Sequence, residues 1–209
     1  MRPLPLLQLC SIASVGCLLA GHAIAQSERE LCAKGTGDAA IAACDKAIPA
    51  NPKDADSYSN RGFTWSVKGD QDKAIADFNE ALKLNPKHAR ALSNRGVAWN
   101  RKGDPDKAIL DSTEAIRINK RYAKAYNNRG VALIRKKEFD KAIADLNEAI
   151  KLNPKDASAY FNRGNALEMK GSLSDALSDF RRFVELSPKD SDGAAAVTRL
   201  ERRIKASGQ

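Results

Sequence analysis

Apolar residues recur every three to four positions along most of the chain, which is the spacing of one face of an α-helix. One such stretch covers residues 55–68, and a second covers residues 72–84. Gly69 lies between them, where a residue that tolerates positive φ can end the first helix. Pro86 follows the second stretch and prevents its continuation. The pattern therefore predicts two antiparallel helices joined by a short turn.

The same pair of helices recurs at a fixed interval. The tripeptide Asn-Arg-Gly occurs repeatedly, always 34 residues apart, at residues 60–62, 94–96, 128–130 and 162–164. Such an interval is typical of stacked helical hairpins that contact only their neighbours. Gly62 falls level with Ala74 in such a hairpin, so the two backbones can approach closely. The equivalent pairs are Gly96/Ala108, Gly130/Ala142 and Gly164/Ala176.

These residues resemble the tetratricopeptide repeat (TPR) family, whose helix-turn-helix unit has an aromatic residue, a Gly and two Ala at fixed positions. In the unit 55–88 those residues are Tyr58, Gly62, Ala74 and Ala81. The resemblance implies an all-α fold: a right-handed α-solenoid of antiparallel helix hairpins, the TPR superhelix, with capping helices at its ends.

The resemblance also sets the expected domain boundaries. The expected TPR units 1 to 4 are residues 55–88, 89–122, 123–156 and 157–190. Residues 26–54 are expected to form a degenerate N-terminal capping half-repeat, and residues 191–209 a C-terminal capping helix and tail. Ser112 and Lys120 replace the family's aromatic residue and Pro, and Lys137 stands where Gly ends the first helix. These departures predict altered local packing within an unchanged fold.

Residues 1–25 have the pattern of a targeting segment. Arg2 precedes an uncharged, Leu-rich stretch over residues 4–20, and the tripeptide ending at Ala25 has the small-x-small pattern of a secretory cleavage site. We predict a cleavable signal peptide, cut after Ala25, and an exported, periplasmic protein. Two alternatives are an uncleaved membrane anchor and a lipoprotein acylated at Cys17.

Cleavage would leave Cys32 and Cys44 in the mature chain. Two thiols in an oxidising compartment suggest a disulfide. On the repeat frame the two residues lie about eight residues out of level, or about 12 Å along the helix axes, so a regular helix at Cys32 would forbid the bond. We therefore expect the disulfide to form with residues 27–37 partly extended. The alternative is a small core residue at Cys44 and a free thiol at Cys32.

The resemblance implies that the first helix of each unit faces a concave groove. The sixth residue of every unit is an asparagine in this groove, namely Asn60, Asn94, Asn128 and Asn162. An amide carries both a donor and an acceptor, so it can bond the N–H and the C=O of an extended peptide. The alternative is that Asn is simply common at this position and forms a solvated groove wall.

The chain carries a net charge of +9, with a pI near 9.4, and its excess of cations lies in residues 89–156. Four of these cations are predicted to face the groove: Arg90, Arg101, Lys124 and Arg135. Together with the asparagines they predict a binding site for an extended, acidic or carboxylate-bearing peptide. The family's carboxylate clamp is matched only in part, because Ser59 and Phe63 stand where that clamp has Lys and Asn.

Two other interpretations of the charge remain open. The excess could be a solubilising property of the surface. It could also attach the protein electrostatically to an anionic envelope surface, such as lipid head groups or cell-wall polymer, through the basic middle and the tail at residues 199–205.

Each unit also has an Arg directly after the asparagine and an Asp sixteen residues later. Because these positions lie on the packing side, we predict ion pairs between the helices of a hairpin and exclude the Arg residues from the binding site. The pairs are Arg61/Asp77, Arg95/Asp111, Arg129/Asp145 and Arg163/Asp179.

Little in the sequence supports catalysis. His88 is the only histidine after the predicted leader, so a His-based relay or a multi-histidine metal site cannot form. No glycine-rich phosphate loop is present. We predict a non-enzymatic interaction module or assembly scaffold without catalytic residues, metal or cofactor, whose partner is a protein or peptide rather than a small-molecule substrate. The charge would suit nucleic acid, but export and scattered aromatic residues argue against it.

Overall fold

The computed structural model describes residues 26–207, which form eleven α-helices and no strand. The predicted signal peptide lies outside the described residues. The chain divides between Pro86 and Lys87 into two compact units, which we call the N-terminal unit and the C-terminal unit.

The N-terminal unit contains two helices before the first full repeat and the two helices of that repeat. Its helices are α1 (26–34), α2 (Gly37–Ala50), α3 (Ala55–Lys68) and α4 (Gln71–Leu84). Helix α3 pairs with α4 and also contacts α2. The two helices predicted from the apolar period are α3 and α4.

The C-terminal unit contains three further hairpins and a terminal helix. Its helices are α5 (Ala89–Lys102), α6 (Pro105–Ile118), α7 (Ala123–Arg135), α8 (Phe139–Leu152), α9 (Ala157–Lys170), α10 (Leu173–Leu186) and α11 (Ser191–Ser207). Each hairpin packs on the next, through α6 on α7 and α8 on α9, and α11 packs on α10. The all-α fold of repeated helix hairpins predicted from the sequence is confirmed.

Glycine in the Asn-Arg-Gly tripeptide is required by side chains of the partner helix. A Cβ atom on Gly130 would lie 2.8 Å from Cγ of Leu146, and one on Gly62 would lie 3.0 Å from the ring of Phe78. Leu146 and Phe78 are fully buried. The glycine therefore leaves room for one large side chain in the centre of each of these two hairpins.

Three first helices end at a glycine in the left-handed region. Gly69, Gly103 and Gly171 have φ of 94°, 86° and 93°. In the remaining hairpin Lys137 takes this place with φ 61°, and it is the only non-glycine residue with positive φ between residues 26 and 207. The turn geometry is therefore kept where the glycine is missing.

A disulfide joins α1 to α2. The Sγ atoms of Cys32 and Cys44 are 2.08 Å apart and their Cα atoms are 4.7 Å apart. Residues 26–34 are helical, so two expectations were wrong. This segment is not partly extended, and a helix at Cys32 does not prevent the disulfide. The expected offset between the two cysteines assumed that α1 and α2 pair in the register of the repeat hairpins. The two helices pair in a different register. The disulfide is buried with Ile48, and Tyr58 of α3 packs against it.

The C-terminal cap covers the last hairpin. Gly193 of α11 lies against the ring of Phe183, where a larger residue would clash. Ala196 and Leu200 are buried against α10. The opposite side of α11 is charged and exposed, so this helix closes the apolar core of the C-terminal unit.

Candidate functional site

In the C-terminal unit, the first helix of each hairpin belongs to one layer, which consists of α5, α7 and α9. Helix α7 contacts both α5 and α9, whereas the second helices α6, α8 and α10 approach one another far less. Within this unit the array therefore bends towards the first helices, which is the side predicted to carry the groove.

One face of α7 presents a stripe of four residues that we call the α7 stripe. They follow one another at helical spacings of four, three and four residues: Lys124, Asn128, Val131 and Arg135. Lys124 and Arg135 are exposed, and Asn128 and Val131 are half-buried. Within residues 26–207 neither Lys124 nor Arg135 has an ion-pair partner. Both charges are therefore available to a ligand.

Helix α5 carries the same residue types at the same spacing, and α9 does not. The α5 stripe is Arg90, Asn94, Val97 and Arg101, and the corresponding residues of α9 are Ser158, Asn162, Asn165 and Met169. Arg90 and Arg101 are exposed, but both already interact with other groups of the chain. The cationic surface of this layer is therefore confined to α5 and α7.

Two of the predicted asparagines link neighbouring first helices. The Asn128 amide donates to the hydroxyl of Ser93 at 2.9 Å and to its carbonyl at 3.4 Å. The Asn162 amide donates to Oδ1 of Asn127 at 2.9 Å. The amide of Asn128 thus directs its donors to the protein itself, and its Oδ1 is the atom left to accept a hydrogen bond from a ligand. A peptide held at both N–H and C=O by this residue is not compatible with that geometry.

Asn60, in α3 of the N-terminal unit, is half-buried. Two apolar side chains of the same helix, Phe63 and Val67, are exposed one turn apart. Helix α3 therefore presents apolar side chains at repeat positions close to those where α5 and α7 present cations.

Sequence reasoning missed a group of polar side chains around Ser93, beside the α7 stripe. Tyr122, just before α7, is half-buried beside Ser93, whose hydroxyl accepts a hydrogen bond from Asn128. Burial raises the pKa of Tyr122 above its ordinary value of 10.0, although the hydroxyl of Ser93 and the charge of Arg90 act in the opposite direction. A serine at the fifth position of the unit, one residue before the groove asparagine, was the available signal.

The repeated Arg residues are held inside the hairpins, as the sequence predicted. Nε and Nη2 of Arg129 each donate to a carboxylate oxygen of Asp145 at 2.7 Å, and Nη1 reaches the hydroxyl of Thr113 in the preceding hairpin. These bonds raise the pKa of the guanidinium. Both side chains are largely buried. The same bidentate geometry joins Arg61 to Asp77, Arg95 to Asp111, and Arg163 to Asp179.

A second ladder of ion pairs, not predicted from the sequence, joins consecutive hairpins on the outer surface. The ammonium of Lys136 lies 2.5 Å from Asp106, and that of Lys170 lies 2.5 Å from Asp140. These lysines follow the groove residues directly in sequence, yet their charges are engaged elsewhere. They are therefore not part of the candidate site.

A cleft of about 640 Å³ in the C-terminal unit lies among α6, α7 and α8. Its lining includes Ile109, Leu133 and the exposed Leu110. The charged residues at its edge include the paired Lys136 and Asp106, so the cleft has no unpaired charge of the kind found on the α7 stripe.

Residues 26–207 contain no cluster of His, Cys, Asp and Glu side chains that could hold a metal ion. None of the helices in that part of the chain has the length and apolar character needed to cross a bilayer.

Three family models match parts of the chain. Two are described as tetratricopeptide repeat and match residues 55–88 and 157–190, and one described as TPR repeat matches residues 132–171. No curated protein sequence is significantly similar to the chain.

Solved structures with this fold are numerous, and three illustrate the range. The chain is 30% identical to the Arabidopsis OM64 TPR domain, with a TM-score of 0.53 over 55% of this chain and 94% of that one. It is 27% identical to the first TPR of Spaghetti (RPAP3) bound to the HSP90 peptide SRMEEVD, with a TM-score of 0.55 over 56% and 93%. TTC0263, a thermophilic TPR protein of Thermus thermophilus, has a TM-score of 0.71 at 23% identity, over 86% and 97%.

Proposed function

Since the chain belongs to the tetratricopeptide repeat family and is a protein–protein interaction scaffold, we propose that its α5 and α7 stripes bind an extended acidic segment of a partner protein. The observation that carries this proposal is the unpaired, exposed state of Lys124 and Arg135 on one face of α7. Other cations of the C-terminal unit, such as Arg129 and Lys136, are engaged in ion pairs. Charge that is left unpaired on a face bending inward is available for charge-assisted hydrogen bonds to carboxylates.

A structural neighbour supports the choice of an acidic peptide. The first TPR of Spaghetti (RPAP3) binds the peptide SRMEEVD, which contains two Glu and one Asp. The present chain has its own arrangement of cations, so we propose only the class of ligand and not the same sequence. We propose that the site has no catalytic role.

Attachment to an anionic surface is the competing proposal. Arg199 and Arg203 of the basic tail are both bonded to Glu168, which is largely buried. Part of the tail charge is thus engaged in holding α11 to α9. This favours the peptide over the surface as the ligand of this protein.

The test compares a labelled peptide of alternating Glu and Ser with the matching Gln and Ser peptide, by fluorescence anisotropy. We expect only the acidic peptide to bind, and the K124E/R135E variant to lose that binding. Lys155→Glu is a matched control, because Lys155 is exposed in the α8–α9 link and belongs to neither α5 nor α7. Unchanged affinity in K124E/R135E would refute the site. Salt-sensitive retention on phosphatidylglycerol vesicles, without any preference between the peptides, would favour the anionic surface.

We also propose that the protein is exported and works in an oxidising compartment. The small-x-small pattern ending at Ala25 and the bonding distance between Cys32 and Cys44 support this. Mass spectrometry of the protein isolated from its native cells is expected to give an N-terminus at Gln26. A chain that starts at Met1 and sediments with membranes would instead favour the uncleaved anchor.

A further inference from the structure

The α7 stripe places two cations at a fixed separation along one helix face. Lys124 and Arg135 are eleven residues apart, which is about three helical turns, so both lie on the same side of α7. At a rise of 1.5 Å per residue their Cα atoms are about 16 Å apart along the axis. The helix is rigid over this length, because it packs against α5, α6, α8 and α9.

The residues between the two cations have a different character. Val131 is half-buried and offers an apolar contact. Asn128 gives its amide protons to Ser93, so the atom that it can offer is an acceptor, Oδ1. From one end to the other, the stripe therefore offers a cation, a hydrogen-bond acceptor, an apolar contact and a second cation.

A ligand that satisfies all four groups must match this order and this length. An extended peptide advances about 3.3 Å per residue, so it covers about 16 Å in roughly five residues. Two carboxylates next to each other in sequence are too close to reach both cations at once. Successive side chains of an extended peptide point to opposite faces, so two carboxylates that both face α7 must be an even number of residues apart. A separation of four residues spans about 13 Å, and the long side chains of Lys124 and Arg135 cover the remaining distance. The peptide can then direct a backbone N–H at Asn128 and rest an apolar side chain on Val131.

We infer that α7 selects extended peptides in which two acidic side chains are four residues apart and an apolar side chain lies between them. This inference rests on the proposed function, because it specifies the ligand of the same site. The α5 stripe has the same order of cation, Asn, Val and cation, but Arg90 and Arg101 already interact with other groups of the chain, so the inference concerns α7. Helix α9, with Ser158 and Met169 at the corresponding places, offers no such pair of cations.

The experiment uses two labelled peptides of identical composition, each with two Glu and one Leu among Ser and Gly residues. In the first the two Glu are four residues apart with Leu midway between them, and in the second the two Glu are adjacent. Dissociation constants are measured for the full chain and for K124A, R135A and the control K155A. Far-UV circular dichroism checks that each variant is folded.

We expect the spaced peptide to bind about five-fold more tightly than its isomer, the effect of one additional surface ion pair near 1 kcal/mol. Either K124A or R135A should abolish this preference, because each leaves one cation, and K155A should retain it. Equal affinities for the two isomers, with both still dependent on Lys124 and Arg135, would overturn the spacing inference and leave the proposed function standing. If neither peptide binds more tightly than a matched Gln peptide, both proposals fall.

Discussion

Removing the hydroxyl of Ser112 should stabilise the protein, although most deletions in a core do the opposite. Ser112 is completely buried, and its Oγ has no hydrogen-bond partner among the described residues. The other three repeat hairpins have Phe78, Leu146 and Phe180 at the same position of the repeat, and all three are fully buried. Ser112 is the residue that replaces the family's aromatic side chain, and it leaves a desolvated hydroxyl facing Gly96.

The size of the effect follows from the environment of the hydroxyl. Burying such a group without a partner costs about 1–3 kcal/mol. Ser112→Ala removes that cost and leaves only a small void, so we expect the free energy of unfolding to rise by about 1 kcal/mol. Ser93→Ala is the matched control, because Ser93 is equally buried but its hydroxyl accepts a hydrogen bond from Asn128. The free energy of unfolding of Ser93→Ala should fall by about 1 kcal/mol.

Thermal unfolding followed by circular dichroism measures both effects. For a chain of this size, 1 kcal/mol corresponds to a Tm shift of about 2–4 °C, so the two variants should shift in opposite directions and differ by about twice that amount. Refolding after heating must be complete for the comparison. A lower Tm for Ser112→Ala, or shifts of the same sign for both variants, would refute the argument that the Ser112 hydroxyl lacks a partner.

Three other changes have expected outcomes. Lys137→Gly should raise the free energy of unfolding by about 0.5–1 kcal/mol, because it relieves a side chain at positive φ; an unchanged or lower midpoint in urea would contradict this. Asp145→Ala should lower the free energy of unfolding by about 2 kcal/mol, because it leaves the largely buried guanidinium of Arg129 without its bidentate partner. A decrease below about 0.5 kcal/mol would contradict this, since it would match an exposed surface pair. Tyr122 has a raised pKa in the folded state, so its contribution to stability is complete below pH 10 and is lost as the pH rises further. Ultraviolet titration should find one tyrosine with a pKa above the ordinary value, and this tyrosine should be missing from the titration of Tyr122→Phe. If the raised pKa is still present in that variant, it does not belong to Tyr122.

Much of the fold follows from short-range features of the sequence. The apolar period and the Gly or Pro residues at helix ends act within a few residues, so α3 and α4 could be predicted directly. The Arg129–Asp145 pair could be predicted because the same spacing recurs in every unit, and a repeated spacing implies a repeated contact. Lys137 replaces the glycine of the other hairpins, yet the turn keeps its geometry, since the hairpins on both sides of the turn constrain the backbone.

The candidate site was predictable only at the level of which residues share a helix face. That Lys124 and Arg135 lie on one side of α7 follows from helical geometry alone. That they have no ion-pair partner within residues 26–207, while Lys136 is paired with Asp106, depends on how neighbouring hairpins pack. A sequence gives the charge of a side chain but not the distance to a group on another helix.

The sequence by itself determined the repeated helix hairpins, the close contact at each Asn-Arg-Gly glycine and the ion pairs inside the hairpins, because each depends on spacing along the chain. Only the tertiary structure decided that Asn128 gives its amide to Ser93, that Ser112 is left without a partner among the described residues, and that Cys32 meets Cys44 although both lie in helices. These contacts join different helices, and they depend on the register in which the helices pack. Register is set by the complete set of side chains at an interface, which no local pattern contains.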